Sequence, residues 1–160
     1  MTVFAAVARR AGAVLVSTGL LVSAAACVPH PVGPARTWES YAAKASTTVE
    51  STISAVETVR LLAETASEGD LIGPYASVAI SEQEDSLGGV RGTFMSIQPP
   101  ADDRAAALRD ELAGLLDDAF AHVGDVRIEA RRGNLDDLEG VAAPLRADAR
   151  ALRELQDRLP

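Results

Sequence analysis

The chain has few residues that can form a disulfide, bind a metal or act as a nucleophile. Its 160 residues include one cysteine and two histidines, and aromatic residues make up 4% of the composition. The single cysteine, Cys27, cannot form an intramolecular disulfide, so an exported chain would need another use for it. Scarce aromatic side chains and abundant alanine suit helices that pack closely.

Motifs for nucleophilic catalysis and phosphate binding are also missing. No Gly-x-Ser-x-Gly sequence is present. Gly88, Gly89 and Gly92 lie inside a predicted helix, whereas a phosphate-binding loop joins a strand to a helix. His122 is the one histidine available as a base, since His30 falls in a proline-rich segment. The sequence therefore predicts a protein that is not an enzyme.

The histidines also fail to match the cofactor sites that helical bundles usually hold. Neither histidine follows a glutamate by three residues, as the di-iron motif requires. Haem ligation by Met95 and His122 fails because their predicted heights along the bundle differ by roughly 27 Å. We therefore expect no cofactor.

A metal site is the alternative to a purely solvated acidic surface. Asp118 and His122 share a helix face and could supply half of a zinc or copper site. Further acids fall at about the same predicted height: Glu57, Glu82, Asp85 and Asp117. Because the chain has more acidic than basic residues, solvated acids on outer helix faces are the simpler interpretation, and we predict no metal site.

Residues 1–26 have the order of a secretory signal peptide. Arg9 and Arg10 precede sixteen uncharged residues, Ala11 to Ala26, which end in small side chains. A transmembrane anchor is the alternative, but this segment is short and weakly apolar for a bilayer span.

The end of this leader, Ala24-Ala25-Ala26-Cys27, resembles the lipobox of bacterial lipoproteins. The resemblance implies cleavage before Cys27, whose thiol carries diacylglycerol, and attachment to the outer face of the cytoplasmic membrane. Ala24 stands where that family usually has leucine. Ordinary cleavage at the same bond, leaving a free amino-terminal cysteine, remains the alternative. The resemblance covers the leader and assigns no family to the rest of the chain.

Residues 27–36 fit a tether between the lipid and a folded domain. Three prolines and a glycine occur in residues 28–36, which would span roughly 28 Å in the polyproline conformation. Two acyl chains on one cysteine hold a protein on a membrane, whereas one chain binds reversibly.

The mature chain is strongly acidic. Residues 1–26 hold two of the 15 basic residues and none of the 23 acidic ones, so cleavage leaves a net charge of −10. Such a charge argues against nucleic acid or an anionic lipid surface as the partner.

Helical periodicity dominates residues 37–160 and predicts helices over about 38–67, 74–97, 102–132 and 135–158. We expect Thr37, Asp102 and Asn134 as N-caps, Asn134 with Asp137 in a capping box, and Gly133 as a C-cap. Pro144 should kink or divide the last helix.

Short connections between these helices predict an all-α fold, an antiparallel up-down-up-down four-helix bundle. In it, Trp38, Phe94, Ile97 and Leu159 should share one apolar layer, and Tyr75 should lie near Val126 or Leu138.

Two functions remain open. The first is a non-catalytic, lipid-anchored helical interaction module that binds another envelope protein. The second is an envelope binding protein for a small ligand or metal, with a site between the helices. Gly88, Gly89 and Gly92 indicate either close approach of a neighbouring helix or a weak point that admits a partner. Gln83, on the apolar stripe, would either set the packing register or contact a ligand.

Overall fold

A computed structural model describes residues 35–160, and Cys27 with its leader lies outside them. The described part is helical and contains no strand. Its helices are α1 (Trp38–Ser67), α2 (Gly73–Ser96), α3 (Asp103–Arg132), α4 (Leu138–Val141) and α5 (Leu145–Gln156). None of these helices combines the length and apolar character that crossing a bilayer requires.

Local capping sets the limits of the three long helices, which begin and end within one residue of the predicted positions. The Thr37 hydroxyl accepts a hydrogen bond from the backbone N–H of Ser40 at 3.2 Å, and the Asp102 carboxylate accepts one from Arg104 at 2.9 Å. Gly133 ends α3 with φ 78°, a left-handed conformation that glycine adopts without steric cost. Pro74 lies in the first turn of α2, where its missing N–H costs nothing.

The many hydroxyl residues of α1 stay helical because their side chains bond to the helix itself. Thr48 donates to the carbonyl of Lys44 at 2.9 Å, and Thr52 donates to that of Thr48 at 2.8 Å. Such bonds satisfy a hydroxyl without exposing it to water, so Thr52 is buried on the inner face of α1.

The predicted start of the fourth helix is wrong. Asn134 does not cap it. Its side-chain amide donates to Glu129 at 2.6 Å, and its backbone N–H bonds to the carbonyl of that residue, which completes the end of α3. The helix begins only at Leu138, and Asp137 precedes it without a side-chain cap. A polar residue after a C-cap glycine can serve either helix, and here it serves the preceding one.

Pro144 divides the remainder of that region, as predicted. The helix α4 ends at Val141, and α5 begins at Leu145, immediately after the proline. Because proline has no N–H to donate, the chain crosses this point with short-range bonds such as Leu145 N–H to the carbonyl of Ala142 at 3.1 Å.

Two apolar clusters form the interior. Cluster one joins the end of α1 and the beginning of α2 to the second half of α3, α4 and the beginning of α5; Val59, Ile80, Val123, Leu138 and Leu145 are members. Cluster two joins the beginning of α1 and the end of α2 to the first half of α3 and the end of α5; Tyr41, Phe94, Leu112 and Leu155 are members.

The predicted apolar layer is confirmed in cluster two. Phe94 and Ile97 are buried there, and Trp38 and Leu159 pack against it while remaining half-buried. The Arg104 guanidinium covers the Trp38 ring at 4.8 Å from its centroid. Tyr75 is 57% exposed and belongs to neither cluster, and its position near Val126 or Leu138 stays a prediction.

Candidate functional site

His122, the histidine considered as a base or metal ligand, pairs with a residue that the sequence analysis missed. Its Nδ1 lies 2.7 Å from Oδ2 of Asp148, which joins α3 to α5. The Asp148 side chain is 11% exposed and that of His122 is 34% exposed. Asp118, the expected neighbour one turn away, is exposed and does not contribute to this pair.

The position of Asp148 in the sequence contained a signal for this contact. Asp148 follows Leu145 by three residues and precedes Leu152 by four, so it lies on the apolar face of α5. An acid on a buried stripe needs a hydrogen-bonding partner, because an unpaired buried charge is costly. His122 supplies that partner from the facing helix.

The pair has the orientation of two members of a catalytic triad, but the third member is not beside it. A triad needs a hydroxyl or thiol hydrogen-bonded to the other imidazole nitrogen. Within residues 35–160, Nε2 of His122 has no such bond. The contact therefore serves as a polar tie between two helices.

The acids predicted to share one height are distributed among ion pairs and solvent. Glu57 accepts from Arg60 and from Arg153, each at 2.5 Å, and Asp117 pairs with Arg91. Across the described chain, no group of three or more potential metal-binding side chains comes together.

The least exposed ion pair with a permanent charge joins α2 to α3. Glu84 and Arg127 pair with side chains that are 16% and 21% exposed. Gly124, one turn before Arg127, leaves room for this carboxylate, since a Cβ there would lie 3.3 Å from a Glu84 oxygen. Gly124 thus has a packing role that the sequence analysis did not identify.

The three glycines of α2 differ in their surroundings. A Cβ on Gly88 would touch the Phe120 ring at 3.4 Å, an ordinary contact, whereas a Cβ on Gly89 or Gly92 would meet nothing within 4 Å. Close approach of a neighbouring helix is therefore the wrong explanation for Gly89 and Gly92. At these two glycines the backbone on the outer face of α2 is not covered by a side chain or by a neighbouring helix.

A groove between α1 and α2 includes this bare face. It has a volume of about 380 Å³ and is open to solvent along the helices. Seven residues line it: Thr47, Thr48, Ser51, Ser86, Gly89, Val90 and Thr93. Gln83 is half-buried and is not among them.

The groove presents hydroxyl groups in two different states. The hydroxyls of Thr47, Thr48 and Ser51 donate to carbonyls of α1, so only their oxygen lone pairs are left to accept. The hydroxyls of Ser86 and Thr93 on α2 form no hydrogen bond within residues 35–160. The α2 wall of the groove can therefore donate hydrogen bonds to a partner, and both walls can accept them.

Comparisons with known proteins do not assign the chain to a family. No protein-family model matches it, and neither curated proteins nor solved structures are significantly similar to it.

Proposed function

We propose that this protein is a lipid-anchored envelope protein that acts as a non-catalytic helical interaction module. The observation that carries the module proposal is the groove between α1 and α2, whose small-residue face no helix of the described domain covers. Small residues let two helix backbones approach closely, and hydroxyls can bond across the contact. The groove fits a helix of another envelope protein.

The anchoring part of the proposal rests on the leader. Residues 1–26 act as a lipoprotein signal peptide, the Cys27 thiol receives diacylglycerol before the chain is cut in front of it, and residues 27–36 form the tether. The protein is exported and held on the outer face of the bacterial cytoplasmic membrane. Its partners are the membrane, through Cys27, and another envelope protein, but not nucleic acid, which the charge of −10 on the mature chain would repel.

An antiparallel up-down-up-down bundle is the topology we propose for the domain. In support, cluster two contains residues near the beginning of α1, the end of α2, the beginning of α3 and the end of α5: Tyr41, Phe94, Ala105 and Leu155. Cluster one contains residues from the opposite end of each long helix. In this topology Ala35, near the end of the tether, lies at the same end of the bundle as Leu155, and the connection between α1 and α2 lies at the other.

A small ligand in the same groove is the second candidate function. The volume lies within the range of small-molecule sites, and the free hydroxyls of Ser86 and Thr93 offer donors for orientation. The open groove favours the first function, because small-molecule sites usually bury most of their ligand.

Fractionation of cells producing the full chain tests the anchor. Wild-type protein should be in the membrane fraction, with an intact mass that includes diacylated Cys27. Cys27→Ala should leave an uncut precursor or release the protein, while Ser23→Ala in the leader should behave as wild type. An unmodified Cys27 at the mature amino terminus contradicts the lipid proposal.

Photo-crosslinking in cells tests the module. A benzoylphenylalanine at Thr93, on the groove wall, should form an adduct with another envelope protein. Gly89→Leu should abolish the adduct by filling the groove, and Gly114→Leu should not, since Gly114 is equally open but lies on α3. Absence of a protein adduct, together with a small molecule retained on the wild type in native mass spectrometry and lost in Gly89→Leu, favours the second function.

A further inference from the structure

Four large apolar side chains are exposed where α1 and α2 are joined. Leu61, Ile72, Tyr75 and Val78 are 62%, 73%, 57% and 59% exposed. Most of the other large apolar residues of the described domain lie within its clusters. We call these four side chains the hairpin patch.

The spacing of these residues groups three of them at the beginning of α2 and places Leu61 at the same height. Tyr75 and Val78 are three residues apart on α2, so their side chains are neighbours on the helix surface, and Ile72 is the extended N-cap residue immediately before the helix. Leu61 lies six residues before the end of α1, and Val78 lies five residues after the beginning of α2. With a rise of about 1.5 Å per residue on two packed helices, both lie roughly 8–9 Å from the connection.

Acidic side chains without ion pairs lie close in sequence to the residues of the patch. Glu64 is three residues from Leu61, Asp70 is two from Ile72, and Glu82 is four from Val78; Glu68 lies in the connection. All four are exposed, and none forms an ion pair within residues 35–160. Most of the arginines are engaged elsewhere, for example Arg60 with Glu57.

We propose that the hairpin patch docks a segment of another protein that has an apolar centre flanked by lysine or arginine. Burial of the apolar side chains drives the contact, and the acidic border selects a basic partner. A second copy of this chain would bring the same four acids against themselves, and an anionic membrane would be repelled in the same way. This inference rests on the proposed role as an interaction module, but it concerns a surface separate from the groove.

Photo-crosslinking of the full chain in cells tests the docking proposal. Benzoylphenylalanine in place of Tyr75 should form an adduct, and the same residue in place of Gly114 on α3 should not. The partner peptide, identified by mass spectrometry, should contain apolar residues flanked by lysine or arginine. An adduct with a second copy, with lipid or with an acidic segment overturns the proposal.

Charge reversal separates specific docking from chance proximity. Glu64→Lys together with Glu68→Lys should lower the yield of the Tyr75-position adduct about tenfold, because the border then repels a basic partner. Asp118→Lys with Asp125→Lys, two exposed acids of α3 that form no ion pair within the described residues, should leave it unchanged. Equal yields in both double variants overturn the proposal.

The two surfaces can fail separately. No adduct from position 75, with an adduct from Thr93 in the groove, overturns the docking proposal and leaves the interaction module standing. No protein adduct from either position overturns both.

Discussion

His122 and Asp148 form a hydrogen bond of 2.7 Å between α3 and α5, although 26 residues separate them in sequence. The carboxylate lies almost buried on the apolar face of α5, where it has no other polar partner within the described chain. The bond therefore fixes the rotation of α5 against α3.

Removal of the His122 imidazole should destabilise the domain through Asp148. His122→Ala leaves a carboxylate without its partner in an apolar setting, and the free energy of unfolding should fall by about 1–3 kcal/mol. Asp148→Ala should cost a similar amount, and the double variant should cost much less than the sum, because each single change already breaks the bond. Urea unfolding of the wild type, the two single variants and the double variant measures these free energies. Additive losses would show that the two side chains do not stabilise the domain through a shared hydrogen bond.

Tyr41 offers a change that should stabilise the domain. Its side chain is fully buried, but its hydroxyl has no hydrogen-bond partner within residues 35–160. The neighbouring Arg109 guanidinium donates instead to the carbonyls of Ile97 and Met95, at 2.6 and 2.7 Å. Tyr41→Phe should raise the free energy of unfolding by up to about 1 kcal/mol, since it removes an unsatisfied polar group and keeps the ring.

The matched control for this variant is Tyr75→Phe, whose hydroxyl belongs to a 57% exposed side chain. It should leave stability unchanged. Burial raises the pKa of the Tyr41 hydroxyl, an effect that the charge of Arg109 only partly offsets. The folded state therefore keeps that proton more tightly than the unfolded state, and wild-type stability should fall as the pH rises above about 10, more steeply than in Tyr41→Phe.

Ser67 connects the end of α1 to the segment around α4. Its hydroxyl donates to the carbonyl of Leu135 at 3.0 Å and accepts from the backbone N–H of Glu139 at 2.9 Å. Ser67→Ala breaks both bonds and should lower the free energy of unfolding by about 1–2 kcal/mol. Ser54→Ala, an exposed position on the same helix, is the control and should have little effect; equal unfolding midpoints for the two variants would refute this role of Ser67.

Asp102 should contribute to acid sensitivity. Hydrogen bonds from the Arg104 side chain and backbone lower the pKa of this carboxyl, so the folded state binds the proton less tightly than the unfolded state. The resulting stabilisation is complete above the ordinary pKa of about 3.9 and is lost as the pH falls through the lower folded value. Thermal unfolding between about pH 5 and 2 should therefore decline less steeply for Asp102→Asn than for wild type.

The neighbouring exposed acid Asp103 provides the control for this pH dependence. Asp103→Asn should follow the wild-type slope more closely than Asp102→Asn does, because within residues 35–160 the Asp103 side chain forms no hydrogen bond with Arg104. Identical slopes for wild type and Asp102→Asn would show that the hydrogen bonds from Arg104 to Asp102 do not make the stability of the domain depend on pH.

The sequence alone predicted the helical class, the limits of the three long helices, and the caps at Thr37, Asp102 and Gly133. It also predicted the division at Pro144. These features depend on interactions within about four residues: periodic burial, an orphan N–H that a nearby oxygen satisfies, and a proline without an N–H. The prediction of Asn134 as an N-cap was wrong, because a polar residue between two helices can form hydrogen bonds at the end of the first or at the beginning of the second.

Only the tertiary structure decided which side chains meet across helices. The His122–Asp148 bond, the two bonds of Ser67 and the complete burial of Tyr41 depend on how far each helix is rotated about its axis. A periodic pattern defines an apolar face no narrower than about 100°, which leaves several neighbours possible for each residue on its border. The open groove beside Gly89 follows from the same cause: a glycine in a helix permits close packing, but the position of the neighbouring helices determines whether that space is filled.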